Sequence, residues 1–461
     1  MTNMTANISQ FFDTALLAKY NTSGPRYTSY PTALEFSDGF NELELTRAIA
    51  DSKTDELSLY VHIPFCHSLC YYCGCNKIVT RHQSKADVYL DYLIKEINHR
   101  AMLFGHYRVR QLHLGGGTPS FLTDAQVKRL IDALKAKFKF NEQLEMSIEI
   151  DPREIEVNKI DTLKALGFNR ISIGVQDIDE KVQTAINRVQ STEIIGQLIE
   201  RAKALAFDSV NVDLIYGLPH QTTETFARTL AQVKAFDVDR ISLFSYAHLP
   251  SRFAAQRKLK DEWLPKADAK LALMRQAIET LTDYGYDFIG MDHFAKPDDE
   301  LSIAQKLGRL HRNFQGYTTK GECDLLGLGV SSISAIGNSY SQNIKELTPY
   351  YQAIDAQEHA MEKGIALTAD DLIRGDVIRE LMCNLFLDKQ AIEQKHQIDF
   401  NSYFEAELNS LQTFVDDGLV DNTQTTIMVS PRARLLIRNI CMSFDAYMKK
   451  HLNQQRFSRV I

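Results

Sequence analysis

Between about residues 55 and 250, short apolar runs recur along the chain, separated by segments whose apolar positions repeat at helical spacing. The first run is Leu57-Ser-Leu-Tyr-Val-His-Ile63. Five more follow: Val109 to Leu114, Leu144 to Ile150, Arg170 to Gln176, Ser209 to Tyr216 and Arg240 to Tyr246. Their Val, Ile, Leu and Tyr content reads as buried β-strand. The intervening segments read as amphipathic helices. Thr123 is placed to N-cap one of them, with Val127, Leu130, Ile131, Leu134 and Phe138 along one face. Strands alternating with helices predict parallel β/α units joined by right-handed crossovers. Six such units predict an α/β fold of the partial or open (β/α)6 barrel type. A doubly wound sheet is the alternative, because a repeat count alone does not separate the two.

In parallel β/α folds, ligands bind where the strands end. The residues at the predicted ends are a cysteine cluster after the first strand and Gly115-Gly-Gly-Thr-Pro119 after the second. Glu149 and Asp151, Gln176 and Asp177, Asp213, and Tyr246-Ala-His248 follow in turn. Beyond residue 300 the pattern changes. Gly327-Leu-Gly-Val-Ser-Ser-Ile333 reads as a glycine-rich turn and short strand, and from about 346 the chain reads as mainly helical. This predicts an N-terminal arm over 1–54, a barrel domain over 55–345 and a mainly helical C-terminal domain over 346–461.

Composition narrows the function classes. The 461 residues are 44% hydrophobic and 24% charged, as expected of a chain with a large core. Lys plus Arg (52) against Asp plus Glu (59) gives a net charge of −7, a poor basis for non-specific nucleic-acid binding. No run reaches the ~18 apolar residues of a membrane span. The N-terminus lacks the pattern of a secretory signal, and the C-terminal Phe-Ser-Arg-Val-Ile is no lipidation or retention signal. The expectation is a cytoplasmic protein with no membrane span. In that reducing setting, seven cysteines point to metal binding or catalysis before disulfides.

Four of the seven fall in Cys66-His-Ser-Leu-Cys70-Tyr-Tyr-Cys73-Gly-Cys75. Cys66, Cys70 and Cys73 have the spacing C-x3-C-x2-C in one loop. Such a loop can supply thiolates to three corners of a cubane iron–sulfur cluster, which leaves one iron open to a small molecule. A structural zinc site using all four cysteines is the alternative. Zinc ligands usually come in two separated pairs, and four thiols this close would strain a tetrahedral site.

This spacing resembles the signature of the radical S-adenosylmethionine superfamily. The resemblance implies a [4Fe-4S] cluster on Cys66, Cys70 and Cys73, its open iron chelating S-adenosyl-L-methionine, whose cleavage yields a 5′-deoxyadenosyl radical. Gly115-Gly-Gly-Thr-Pro119 resembles the loop that receives the methionine end of that cofactor. Four further segments resemble the oxygen-independent coproporphyrinogen III oxidase family over nearly the whole chain. They are Tyr20-Asn-Thr-Ser-Gly-Pro-Arg-Tyr-Thr-Ser-Tyr-Pro31, Tyr60-Val-His-Ile-Pro-Phe-Cys66, His311-Arg-Asn-Phe-Gln-Gly-Tyr317 and Arg438-Asn-Ile-Cys-Met-Ser-Phe-Asp-Ala-Tyr447. That family converts two propionates of coproporphyrinogen III to vinyl groups, giving protoporphyrinogen IX on the way to haem. The resemblance implies two molecules of S-adenosyl-L-methionine, an electron donor and an electron acceptor of unidentified nature, and a monomer.

By the same resemblance Tyr60, Tyr72, Gly116, Glu149 and Ile333 surround the first S-adenosylmethionine. Gly117, Thr118, Gln176, Arg188, Asp213 and Ala247 surround the second. Tyr72 stands where the family has Phe, and is expected to pack on the adenine. Carboxylates suit ribose hydroxyls or an ammonium group, and Arg188 suits the methionine carboxylate. Tyr60 and Cys75 are the candidate catalytic residues. A fourth cluster bond from Cys75 would block the open iron, which leaves hydrogen transfer, support of the cluster, or plain packing. Cys323, Cys383 and Cys441 read as packing. Glu149 points either to a site or to solvent, and Asp213, in an apolar run, needs a ligand or Arg188 as partner. His62, His113, His248, His293 and His311 read as ordinary polar residues. Arg26, Arg252, Arg257, Lys258, Lys260 and Arg312 are candidates for holding a four-carboxylate substrate. Arg26 sits in a rigid Gly-Pro-Arg-Tyr segment of an arm expected to close over the barrel mouth. The competing function is a haem-binding chaperone of the same branch without decarboxylase activity. Such chaperones generally lack both the arm and a cysteine at the Cys75 position.

Overall fold

The computed structural model describes residues 12–451. Residues 1–11 of the expected arm and the C-terminal pentapeptide lie outside the described residues. The chain forms two compact units. The larger comprises Phe36–Thr280 and Glu322–Ala366, and the smaller the described residues up to Glu35, Leu281–Gly321 and the described residues from Leu367 onward.

The six expected strands are present in the larger unit: β1 (Glu56–Ile63), β2 (Arg108–Gly116), β3 (Lys139–Ile150), β4 (Arg170–Gln176), β5 (Ser209–Tyr216) and β6 (Arg240–Ser245). They lie side by side in chain order, and each pairs parallel with the next. A doubly wound sheet needs a reversal of strand order, so this topology excludes it. Beyond β1 the sheet continues with β7 (Asp324–Leu328), parallel to β1. The antiparallel β8 (Ile333–Ile336), β9 (Ser339–Asn343) and β10 (Met361–Ala366) complete that side. The arrangement is an open β/α barrel. The helices Ser84–Leu103, Asp124–Lys137, Lys159–Leu166 and Thr192–Ala204 pack consecutively, each against the next. Thr123 caps its helix through a capping box with Gln126, and Val127, Leu130, Ile131 and Leu134 are fully buried.

The strands differ from the expectation in one respect. They are not apolar on both faces. Leu57, Leu59, Val61 and Ile63 are wholly buried, while Ser58, Tyr60 and His62 face the other way. The inner face carries polar residues in register from strand to strand. The Ser58 hydroxyl donates to Gln111 Oε1 (2.8 Å), and Gln111 Nε2 donates to Glu145 Oε1 (2.7 Å). His113 Nδ1 meets Ser147 Oγ at 2.6 Å, and Asn211 Nδ2 donates to Ser172 Oγ at 2.8 Å. A barrel lined this way holds a polar ligand, whereas one filled with aliphatic layers does not.

In the smaller unit the helix Ala369–Asn384 is capped by Thr368 and accompanied by a three-stranded sheet of Phe386–Asp388, Thr426–Val429 and Val420–Asn422. The region expected to be mainly helical therefore also contains strands. The N-terminal segment is bound into this unit. The Arg438 guanidinium donates to the carbonyls of Gly24 and Pro25, Asn439 Nδ2 to Tyr20 O (2.9 Å), and the Tyr27 hydroxyl to Asp445 Oδ2 (2.9 Å). Among the described residues no helix is long and apolar enough to cross a membrane.

One buried carboxylate fixes the turn between β7 and β8. Glu96 accepts from Gly329 N, Asn343 Nδ2 and the Tyr350 hydroxyl, each at 2.7 Å. Glu96→Ala strands three donors, so it is expected to lower stability by roughly 3 kcal/mol or more, and Glu96→Gln by less. Thermal and denaturant melting of the two variants check this.

Candidate active site

The cysteine loop begins where β1 ends. Phe65–Cys66 pairs parallel with Ile78–Val79, so the loop between them is tied at its base. Ile78 N donates to Pro64 O (2.7 Å) and Thr80 N to Cys66 O (2.9 Å). The end of β2 packs against that base. Gly117 N donates to Ile63 O at 2.8 Å, and a Cβ on Gly117 would fall 2.7 Å from the Pro64 carbonyl carbon. Glycine is therefore required at 117 by the loop's own backbone, a reason separate from any ligand. Gly116 takes a positive φ of 118°, and a side chain there would strike the His62 ring.

Each of the three spaced cysteines receives hydrogen bonds at sulfur. The Thr118 hydroxyl donates to Cys66 Sγ (3.3 Å), and Cys75 N donates to Cys73 Sγ (3.4 Å). Cys70 Sγ accepts from both Arg153 Nη2 and Arg188 Nη1, each at 3.4 Å. Burial pushes the Cys66 thiol up to about 11. Hydrogen bonding from Cys75, followed by the Lys77 charge, brings Cys73 down to about 6. Donors on every sulfur suit thiolates that ligate a metal cluster. Among the described residues no three His, Cys, Asp or Glu side chains converge as ligands of one ion. A cubane does not require this, because each thiolate meets a different iron. Cys75 is exposed at the loop surface.

Asp151 organises the two arginines. Its carboxylate is bound by Arg153 Nη2 (2.6 Å) and Arg188 Nη1 (3.0 Å), and these charges hold it near 2 in spite of burial. Arg188 also donates to Gly174 O (2.6 Å). Its Nε is buried and has no hydrogen-bond partner, so one donor remains for a ligand. Gln176 follows at the end of β4, buried, with φ +65° at a break in strand register. A non-glycine residue in that conformation is strained, as functional positions often are.

Deeper in the barrel, Tyr60 stacks on His113 with ring centroids 5.8 Å apart, and its hydroxyl meets His62 Nδ1 at 3.2 Å. Glu149 is half-exposed and also meets neighbouring strands. Its Oε2 accepts from Gly116 N (3.2 Å), and Oε1 lies 3.4 Å from His113 Nε2. Asp213 does not pair with Arg188. It accepts from Asn211 Nδ2 on its own strand (2.8 Å) and from the Ser172 hydroxyl on β4 (3.2 Å). Ile333 starts β8, and its backbone lies against Gly327, the β7 neighbour of Tyr60.

Tyr72 packs beside a cluster that includes Val182, Ile186, Leu218 and Leu259. A residue that sequence reasoning missed ties it to Ala247. Gln256, 2% exposed, donates from Nε2 to Tyr72 O (2.9 Å) and Ala247 O (3.2 Å), and its Oε1 accepts from Leu249 N (2.6 Å). It lies in the cationic stretch His248 to Lys260, where nothing marks a glutamine as buried. Of the cations there, Lys258 lies over the Tyr71 ring and Lys260 over Trp263. Tyr71, Lys181, His220, Lys258 and Trp263 line a rim pocket of about 540 Å³.

Two expectations follow. Gly117→Ala forces β2 away from the loop base, so iron bound per chain after anaerobic reconstitution should fall to a minor fraction of wild type. Burial, then the Glu149 charge, raises the Asp213 carboxyl to about 6 from 3.8. A raised folded-state value means that this group's stabilising contribution is complete below pH 4 and lost as pH climbs through 6. Asp213→Asn should therefore gain stability over wild type between pH 4 and 6, by about 3 kcal/mol. Melting of both proteins across that range measures the difference.

The comparisons with known proteins agree with this geometry. The radical SAM superfamily profile matches residues 60–233, and the HemN C-terminal domain profile matches 367–436. An oxygen-independent coproporphyrinogen III oxidase of Salmonella typhimurium is 57% identical over 450 residues, 98% of each chain. One from Pseudomonas aeruginosa is 46% identical over 455 residues, 98% of this chain and 99% of its own. A solved structure described as "Coproporphyrinogen III oxidase (HemN) from Escherichia coli is a Radical SAM enzyme" superposes with a TM-score of 0.92 at 56% identity. It covers 95% of this chain and 100% of its own. Three sulfurs at the mouth of an open β/α barrel and full-length similarity at this level lead to one conclusion: the chain belongs to the oxygen-independent coproporphyrinogen III oxidases, within the radical S-adenosylmethionine superfamily.

Proposed function

We propose that this protein catalyses the oxygen-independent oxidative decarboxylation of two propionates of coproporphyrinogen III, giving protoporphyrinogen IX for haem synthesis. The observation that carries this reading is the tied cysteine loop, donor-bound at all three sulfurs, in a chain similar to named oxidases from end to end. When bound, a [4Fe-4S] cluster and S-adenosyl-L-methionine supply a radical that takes a hydrogen atom from the propionate β-carbon. Carbon dioxide and one electron then leave the propionate, and a vinyl group remains. An acceptor of unidentified nature takes that electron, and a separate donor supplies the reducing electron.

Cys66, Cys70 and Cys73 hold the cluster. Arg153 and Arg188 neutralise charge at Cys70, and hydrogen bonds at a ligand sulfur tune a cluster's potential. Tyr60, Tyr72, Gly116, Glu149 and Ile333 line the first cofactor position. The Glu149 carboxylate, 43% exposed, suits an ammonium or ribose hydroxyl. Gly117, Thr118, Gln176, Arg188, Asp213 and Ala247 line a second cofactor position. The unused Arg188 Nε supports a carboxylate there. Tyr60 and Cys75 stand closest in role to the chemistry, Cys75 through its backbone contact with Cys73. The protein works as a cytoplasmic monomer.

The test is anaerobic turnover. Reconstituted enzyme with reductant, S-adenosyl-L-methionine and coproporphyrinogen III should yield protoporphyrinogen IX, read by chromatography after oxidation to the porphyrin. Replacing Cys66, Cys70 or Cys73 by Ala should abolish it. Cofactor cleavage without decarboxylated product would exclude this reaction and favour a binding role such as that of a haem chaperone.

A further inference from the structure

The segment His311-Arg-Asn-Phe-Gln-Gly-Tyr317 has no part in the site described above. It folds as a hairpin within the smaller unit, His311–Asn313 against Gly316–Thr318, with Arg312 directly opposite Tyr317. That register lays the Arg312 guanidinium over the Tyr317 ring, 4.8 Å from its centroid. The Arg312 side chain is only 5% exposed, yet its Nε and Nη1 have no hydrogen-bond partner. The nearest carboxylate, Asp292, lies 3.9 Å from Nη1, too far for a hydrogen bond.

Asp292 is occupied elsewhere. Its Oδ1 is bound by His293 Nδ1 at 2.7 Å, and its Oδ2 by Arg26. Burial alone would raise its carboxyl, but His293, Arg26 and Arg312 hold it well below the usual range. Arg438, also buried, brings a third guanidinium. Burial, then repulsion from Arg26 and Arg312, lowers it to about 10. One carboxylate thus faces three guanidiniums. Excess buried charge with orphaned N–H groups is costly unless an anion meets it. Arg26, 42% exposed, forms the open side of the cluster.

We infer that Arg312, with Arg26 beside it, forms a carboxylate-binding site in the smaller unit, the carboxylate accepting from one of the unpartnered Arg312 N–H groups, which lie on different edges of the guanidinium plane. The identification of that carboxylate as one of the substrate's four rests on the proposed function. A free small carboxylate is the other source of the same chemistry.

The experiment uses anaerobically reconstituted holoenzyme with Arg312→Gln, Arg312→Lys and Arg26→Gln. Coproporphyrin III, the fluorescent oxidised tetracarboxylate, is the binding probe, and succinate is the free carboxylate. Arg312→Gln should weaken coproporphyrin binding by about tenfold or more, and the loss in turnover should fall on KM rather than kcat. Arg312→Lys should recover part of the affinity, since it keeps the charge and loses the planar guanidinium donors. Arg26→Gln should cost several-fold. Loss of succinate binding in Arg312→Gln, with coproporphyrin binding unchanged, would assign the site to a free carboxylate. Unchanged affinity for both probes would overturn it. Should Arg312→Gln fail to fold, as judged by melting and iron content, Arg26→Gln at the surface decides, and full affinity in that variant overturns the site. Wild-type enzyme that binds coproporphyrin but forms no protoporphyrinogen would fail the proposed reaction and leave the site standing.

Discussion

The larger unit depends on how closely two backbones approach at the ends of β1 and β2. Gly117 sits against Pro64 and Phe65 with no room for a methyl group. That contact sets the base of the cysteine loop. The short pairing of Phe65–Cys66 with Ile78–Val79 closes the loop from its far side. Between these two constraints the chain from Cys66 to Val79 is free to shape itself around a ligand without losing its anchor. The position of Thr118 follows directly, since it is next in sequence to the contact and donates to Cys66.

From that anchor the polar network extends strand by strand. Asp151, at the end of β3, holds two guanidiniums against Cys70. The two arginines share this one carboxylate and both reach the same sulfur, so the positive charge left over faces Cys70. Below this layer the carboxylates of Glu149 and Asp213 are satisfied by neutral donors and a backbone N–H. The cationic layer therefore lies at the mouth and the anionic layer beneath it. A zwitterionic amino-acid ligand suits such a gradient, with its carboxylate above and its ammonium below.

The fold class was legible because the strand runs are short, separate and alternate with amphipathic helices. Thr123 and its apolar face show how local the signal is. The polar lining was equally present in Ser58, Tyr60 and His62, alternating with Leu and Val, but the richness in aliphatic residues masks a period of two. The cysteine loop was legible from spacing alone. The cross-strand partner of Asp213, Ser172, was not, since strand register decides it and no local pattern reveals register. Gln256 is silent in the sequence for the same reason: its burial depends on a loop returning over Tyr72. The residues preceding Glu35 share a compact unit with those following Leu367. Residues so far apart in the chain leave no periodic trace of their contact.

The rim pocket beside the loop has an optical consequence. Trp263 is the chain's single tryptophan, and it shares that pocket with Tyr71, the residue that follows Cys70. The whole indole emission of the protein therefore originates next to the segment that carries the clustered thiols. Filling, emptying or rearranging that segment is written into one unlabelled fluorescence signal.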